Sequence, residues 1–189
     1  TELWAGIGAE DTPYNAYFGT KMKYVELVVN GEYRGLYGIF EPVDKTQLAI
    51  TDEEYLYKRT YGRALSQELF DSAGPDDYLT VLGMEIKGKK GNGTSLDWKQ
   101  LRQFIAITEE EDEEFAQDAQ QLLDLDNVAD IWIYLQFLYG EDNIYKNMFF
   151  AFKKDTDGYQ GYKLYLVPWD TDLTWGNVYV DSKEELYVK

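Results

Sequence analysis

The sequence predicts an α+β fold with an antiparallel sheet in its amino half and helices in its carboxyl half. Alternating apolar and polar segments separated by turn residues dominate residues 24–87, which is typical of strands. Apolar residues at helical spacing dominate residues 95–139, and two further alternating segments follow them. We therefore expect one domain over residues 1–189, with a mainly β lobe over 1–93 and a mainly helical lobe over 94–189.

A hairpin is the clearest prediction in the amino half. Residues 24–41 alternate like two strands, and Asn30 and Gly31 between them supply the positive φ that a tight turn requires. Residues 54–60 alternate in the same way, and we expect this strand, which carries Lys58, to join the same sheet. Three shorter elements complete this half, namely a helical turn within 42–50, a short helix over 64–70 and a strand over 84–87.

Three helices are expected in the middle of the chain. The first covers residues 95–105 and the second covers roughly 111–123. The third, over 128–139 with Asp126 or Asn127 as its cap, is the most apolar and is expected to be the buried centre of the helical half. The remaining elements are a hairpin with strands at 148–153 and 162–167 and a turn at 155–158.

The composition narrows the possible function classes. A formal net charge of −17 and a pI near 4.3 repel phosphate backbones, so nucleic acid is not expected as a partner. The chain has no Cys and no His, which excludes disulfides, thiolate or imidazole metal sites and a histidine general base. No apolar run is long enough for a membrane span. Any chemistry must therefore use carboxylates, hydroxyls, Lys, Arg or Tyr.

Residues 140–176 carry the strongest functional motif. Asp142 directly follows the apolar helix, and Asn147 lies five positions later, which is the separation of the base and the metal-binding Asn in a protein-kinase catalytic loop. A hairpin then leads to Asp170, just as a strand pair leads to the metal-binding Asp of kinases. Lys58, on an expected upstream strand, matches the Lys that holds nucleotide phosphates. This order of residues predicts a phosphoryl-transfer site with oxygen ligands for Mg²⁺.

Each of these residues also has a purely structural interpretation. Asp142 can form a turn after the helix, Asn147 can cap a strand, and the Asp170 side chain can bond within its own loop. Residues 88–95 look like a phosphate-cradling loop, but the Lys that such a loop requires before Ser or Thr is missing, which favours a plain turn. An acidic, aromatic chain with Asp-x-Asp clusters is also compatible with a calcium-dependent carbohydrate-binding module, which should be all-β.

The chain resembles the spore-coat protein H (CotH) kinase family in several segments when each segment is considered over its full length. The segment after the second hairpin, from Pro168 to Gly176, and the preceding Asp-Asn-x-x-x-Asn segment are the most specific of them. The matching segments are residues 24–37, Glu41-Pro42-Val43-Asp44-Lys45, Leu56-Tyr57-Lys58, Asp142-Asn143 with Asn147, and Pro168-Trp169-Asp170-Thr171-Asp172-Leu173-Thr174-Trp175-Gly176.

The resemblance implies an atypical protein-kinase-like fold and ATP-dependent phosphorylation of Ser or Thr in a protein substrate. It assigns Lys58 to the nucleotide phosphates and Asp142 to the role of catalytic base. Asn147 and Asp170 would bind Mg²⁺ or Mn²⁺, with Asp172 as a supporting or second metal ligand. It also favours the spore coat, the cell surface or secretion as the location.

The chain departs from the family pattern at both ends. The family's amino-terminal region with an Arg-Gly-Asn-Ser-like motif and the helices after the Trp-Gly segment have no counterpart here. We therefore expect a truncated domain that keeps the nucleotide-binding centre, and the alternative is a catalytically inactive pseudokinase or surface interaction domain. The glutamate that pairs with the nucleotide Lys in kinases would be Glu68 or Glu85.

Overall fold

A computed structural model describes residues 3–4, 6–7, 21–62, 64–74, 82–88 and 97–177, and it confirms the α+β class. The expected turn at 88–93 and the first residues of the expected helix from 95 fall largely outside these ranges. In chain order the elements are β1 (Met22–Val29), β2 (Glu32–Phe40), β3 (Tyr55–Arg59), α1 (Gln67–Ser72), β4 (Met84–Ile86), α2 (Lys99–Thr108), α3 (Asp112–Leu122), α4 (Leu125–Leu138), α5 (Asp142–Tyr145), β5 (Met148–Tyr159) and β6 (Tyr162–Pro168).

The strands form two antiparallel sheets, not the single amino-terminal sheet that we expected. β1 and β2 make a two-stranded hairpin, whereas the larger sheet has the strand order β4-β3-β5-β6. The expectation that β3 joins the hairpin sheet is therefore wrong, because Tyr57 of β3 pairs with Phe150 of β5 and with Ile86 of β4. The reason is burial: the apolar start of β5 is buried on both faces, and it needs strand partners on both sides. The larger sheet thus joins residues from both expected lobes.

The larger sheet has apolar packing on both faces. One face, which includes Tyr55 and Tyr57, packs against the helices in the main core. The opposite face, which includes Leu56, is covered by a turn segment after β2 through Val43 and Leu48. Burying each large apolar side chain contributes about 1.5–3 kcal/mol, so both layers hold the sheet in place. Lys58 lies two positions after Leu56 in β3 and is therefore on the same face of the sheet as Leu56.

Helix α4 begins earlier than the sequence indicated. Its N-cap is Asp124, whose Oδ1 accepts the backbone N–H of Asn127 at 3.0 Å, so the expected caps at Asp126 and Asn127 are wrong. The Asn127 side chain serves another purpose, because its Nδ2 donates to the carbonyl oxygen of Leu166 at 3.1 Å and its Oδ1 accepts the Leu166 N–H at 2.8 Å. The Asn127 amide thus satisfies the backbone N–H and carbonyl of Leu166 on the outer edge of β6, and it fixes α4 against this strand.

The turn between β5 and β6 also differs from the prediction. β5 continues through the expected turn at 155–158 and ends at Tyr159, and the chain reverses at Gln160 and Gly161, which have φ of 48° and 84°. Positive φ at both positions is what a two-residue hairpin turn requires. Gly158 has a different role, since a Cβ there would collide with the carbonyl oxygen of Tyr162 in the irregular part of the ladder.

Candidate functional site

Asp142 and Asn147 are in direct contact. Helix α4 ends where Tyr139 adopts the left-handed conformation, and Asp142 is the first residue of the short helix α5, not part of an open loop. Asn147 Nδ2 donates to Asp142 Oδ2 at 2.8 Å, and Lys146 Nζ lies 3.2 Å from the same oxygen. Two donors therefore fix the orientation of this carboxylate, as a general base or a positioning group requires.

The β5–β6 hairpin brings Asp170 beside Asn147. Asn147 immediately precedes β5, and the backbone N–H of Trp169, just after β6, donates to the Asn147 carbonyl at 2.9 Å. Asn147 Nδ2 also lies 3.5 Å from the backbone oxygen of Asp170. Asn147 and Asp170 both have φ of 56°, an unusual conformation for residues other than Gly. Asp142, Asn147 and Asp170 thus converge at the same end of one hairpin.

Lys58 reaches this hairpin from β3. It pairs in register with Phe149, and its Nζ lies 5.6 Å from the centroid of the Phe149 ring and 5.5 Å from that of Trp169. Glu85 is opposite Lys58 on β4, but its carboxylate forms an ion pair with Lys87. Within the described ranges neither Glu85 nor Glu68 forms an ion pair with Lys58, so the contacts of Lys58 are with aromatic rings.

A cleft of about 550 Å³ lies between the β1–β2 hairpin and the segment that follows β6. This volume is typical of small-molecule sites. The two carboxylates at the cleft, Asp170 and Asp172, are exposed, and Phe40 closes part of it by packing on Trp169 with ring centroids 5.7 Å apart. The lining residues are Met22, Tyr24, Phe40, Trp169, Asp170, Thr171 and Asp172.

Nearly the whole sequence matches a known protein-family profile. The family profile described as CotH kinase protein matches residues 1–187. The chain belongs to the CotH kinase family. A comparison with curated proteins finds no match. Membership in the CotH family supports a kinase-like function and, in general terms, the use of ATP and a divalent metal.

The oxygen donors of this CotH domain fit a cation that keeps part of its water shell. Asn147, Asp170 and Asp172 offer one amide oxygen and two carboxylates, which are hard ligands of the kind that Mg²⁺ and Mn²⁺ prefer. Within the described part of the chain no group of three or more His, Cys, Asp or Glu side chains could enclose a metal. Mg²⁺ commonly takes one or two carboxylates together with substrate phosphates, so a metal held by these side chains would also need the phosphate oxygens of a bound nucleotide.

Asn143 is a site residue whose role the sequence did not reveal. Its side chain is 1% exposed, and its Nδ2 donates to the carbonyl oxygens of Asn147 at 3.2 Å and Trp169 at 2.7 Å. It therefore links α5 to both ends of the hairpin that carries the candidate metal ligands. An Asn beside the expected base, in the family-like Asp-Asn pair, was the available sign, but its burial depends on tertiary contacts.

The segment after Asp170 is attached to α4. The Trp175 backbone N–H donates to the carbonyl oxygen of Leu138 at 2.7 Å, and the Trp175 ring packs edge-on against Phe137 with centroids 5.0 Å apart. Burial raises the pKa of Tyr134, on the same helix, while a hydrogen bond with Thr171 acts in the opposite direction. These contacts hold the carboxylate-bearing segment at the cleft. None of the described helices has the length and apolar character needed to cross a membrane.

Proposed function

We propose that this domain transfers the γ-phosphoryl group of ATP to a Ser or Thr hydroxyl of a protein substrate. The observation that carries the proposal is the convergence of Asp142, Asn147 and Asp170 at one end of the β5–β6 hairpin, next to a cleft large enough for a nucleotide. Phosphoryl transfer depends mainly on positioning and on electrostatic stabilisation, and these groups supply both.

Asp142 is the proposed base. Its Oδ2 is held by Asn147 and Lys146, which fixes the plane of the carboxylate. Oδ1 would accept the proton of the substrate hydroxyl as that oxygen attacks the γ-phosphorus and the bond to the leaving ADP oxygen breaks. Positioning of this kind contributes through proximity and orientation.

Lys58 and the oxygen ligands have the second role, which is to bind the phosphates. The Lys58 ammonium would contact nucleotide phosphates, while Asn147 and Asp170 would hold Mg²⁺ or Mn²⁺ and Asp172 would assist them. When bound, the metal neutralises negative charge on the phosphates. The nucleotide site also offers a physical reason for the left-handed conformation of Asn147 and Asp170, because strained residues cluster at functional sites.

Two variants separate binding from transfer. Asp170→Ala should weaken Mg·ATP binding about tenfold or more in titration calorimetry, because it removes a metal ligand. Asp142→Asn should bind Mg·ATP like the unaltered domain and lose incorporation of labelled phosphate into a mixed protein substrate. Asp157→Asn, an exposed β5 position remote in sequence from these ligands, is the control that should change neither measurement. Absence of any Mg·ATP binding by the unaltered domain would refute the proposal.

A non-catalytic kinase-like domain is the second candidate. The observation in its favour is the ion pair between Lys146 Nζ and Asp142 Oδ2 at 3.2 Å, which engages the proposed base. In that case Mg·ATP would bind without transfer, and Lys146→Gln would not release activity. A carbohydrate-binding module is not supported, since the helices α2, α3 and α4 contradict the all-β fold expected of it.

A further inference from the structure

We propose that Trp169 is a positioning residue whose indole ring holds the Lys58 ammonium in the role that a glutamate has in other kinases. This inference rests on the proposed function, because it concerns how the nucleotide-binding lysine is placed. The position of Lys58 Nζ against the Trp169 ring can be tested without nucleotide.

The geometry of the ammonium supports this assignment. Lys58 Nζ is 5.5 Å from the Trp169 centroid and 5.6 Å from the Phe149 centroid, both within the range of a cation–π contact. The two rings pack edge-on with centroids 6.4 Å apart, so they form one aromatic corner around the ammonium. Among aromatic side chains Trp gives the strongest contact of this kind.

The neighbouring carboxylate does not take this role. Glu85 is opposite Lys58 across the β3–β4 pair, a position from which a carboxylate could reach it. Glu85 instead forms an ion pair with Lys87, which lies two residues later in the chain. No ion pair involves Lys58 within the described ranges, which leaves the aromatic corner as its observed support.

Trp169 is itself rigidly held. Its backbone N–H donates to the Asn147 carbonyl at 2.9 Å, and its carbonyl oxygen accepts from Asn143 Nδ2 at 2.7 Å. Its ring also packs on Phe40 from the β1–β2 hairpin. Because Trp169 directly precedes Asp170, the group that places the phosphate-binding lysine and a proposed metal ligand are adjacent residues. The position of Lys58 is thereby tied to the same backbone as the metal site.

The first test uses the domain without nucleotide. Reductive methylation with ¹³C-formaldehyde labels lysine amines, and Lys58→Arg identifies the Lys58 signal by its loss. We expect the Lys58 methyl protons to lie upfield of those of exposed Lys45, because ring currents shield a group above an aromatic face. Trp169→Leu should move the signal toward that of Lys45, and Trp169→Phe, which is the milder change, should move it partway. A Lys58 signal that coincides with Lys45 in the unaltered domain would overturn the proposal.

The second test is a double-mutant cycle on Mg·ATP affinity, with the melting temperature of each variant measured as a fold check. Trp169→Leu should weaken binding about fivefold and Trp169→Phe about twofold, as expected for the loss or weakening of one cation–π contact. In a Lys58→Met background, Trp169→Leu should change the affinity less than about twofold, because its effect acts through the lysine. Equal losses in both backgrounds would overturn the proposal. If the unaltered domain does not bind Mg·ATP, the proposed function fails and the methyl shift alone decides the role of Trp169.

Discussion

Asn143 donates its side-chain N–H to the carbonyl oxygen of Trp169 at 2.7 Å, and this bond connects two segments that are distant in sequence. Asn143 lies on α5 directly after the proposed base, and Trp169 directly precedes the proposed metal ligand Asp170. The same amide also donates to the carbonyl oxygen of Asn147, so one buried side chain fixes the spacing between the proposed base and the proposed ligands. The geometry of the site therefore depends on a residue that contacts no substrate in the proposed mechanism.

Replacing Asn143 should accordingly destabilise the domain. Asn143→Ala removes the side-chain donor of the Trp169 carbonyl and leaves the Asn147 carbonyl with the Trp169 backbone N–H alone, and we expect the free energy of unfolding to fall by about 2 kcal/mol in urea titrations. Asn143→Asp should cost more, because its carboxylate oxygens would face the same carbonyls. Asn177→Ala is the control: its exposed amide donates to the carbonyl of Asp172, and its loss should cost under about 1 kcal/mol. Similar losses for both alanine variants would contradict the structural role of Asn143.

Part of the fold and part of the candidate site could be recognised from local patterns in the sequence. The Asn30-Gly31 turn predicted the first hairpin, and the five-residue spacing placed Asp142 and Asn147 in one candidate site, but it did not predict the hydrogen bond between their side chains. Local patterns could not show which strands pair, because pairing of β3 with β5 depends on burial across many intervening residues. For the same reason the contact between Lys58 and Trp169 was not predicted.

Two substitutions of Asn147 should separate its two proposed roles, which are to bind the metal and to orient Asp142. Asn147→Asp keeps an oxygen ligand for the metal but loses the N–H that orients Asp142, so Mg·ATP binding should persist while phosphate transfer falls at least about a hundredfold. Asn147→Ala removes both groups and should weaken binding as well. Calorimetry and radiolabel incorporation on the two variants measure these effects separately. Equal binding losses in both variants would show that Asn147 does not hold the metal.

A buried lysine gives the domain a distinctive alkaline pH dependence. Lys153 is 1% exposed, its Nζ donates to the carbonyls of Leu48 at 2.6 Å and Ala49 at 2.8 Å, and it lies 3.7 Å from Glu54. Desolvation lowers the pKa of Lys153 below its ordinary 10.5, although Glu54 opposes the shift. In the folded state this lysine therefore loses its proton at a lower pH than in the unfolded chain.

The sign of the effect follows from proton linkage. In the pH range between the folded-state pKa of Lys153 and 10.5, the unfolded chain binds more protons than the folded chain. Lys153 therefore makes the domain more stable as the pH rises through that range. We expect the stability of the unaltered domain relative to Lys153→Met to increase as the pH rises toward about 10.5, in urea titrations at each pH. Tyrosine ionisation is common to both proteins and cancels in the difference. Lys154→Met removes an exposed neighbour and is the control, and a flat difference for Lys153→Met would contradict the lowered pKa.

The end of α4 offers a stabilising substitution. Tyr139 ends the helix with φ of 55° and ψ of 46°, a left-handed conformation that costs a residue with a Cβ about 1–2 kcal/mol. Gly adopts this conformation without that cost but loses more entropy on folding, so Tyr139→Gly should raise the free energy of unfolding by about 0.5 kcal/mol. Gln136→Gly introduces the same residue at an exposed position inside the same helix, where it should lower the free energy by about 1 kcal/mol. In urea titrations, the changes in the free energy of unfolding should therefore have opposite signs for these two glycine substitutions, which lie three residues apart. A loss of stability at both positions would show that the Tyr139 ring contributes more than its backbone conformation costs.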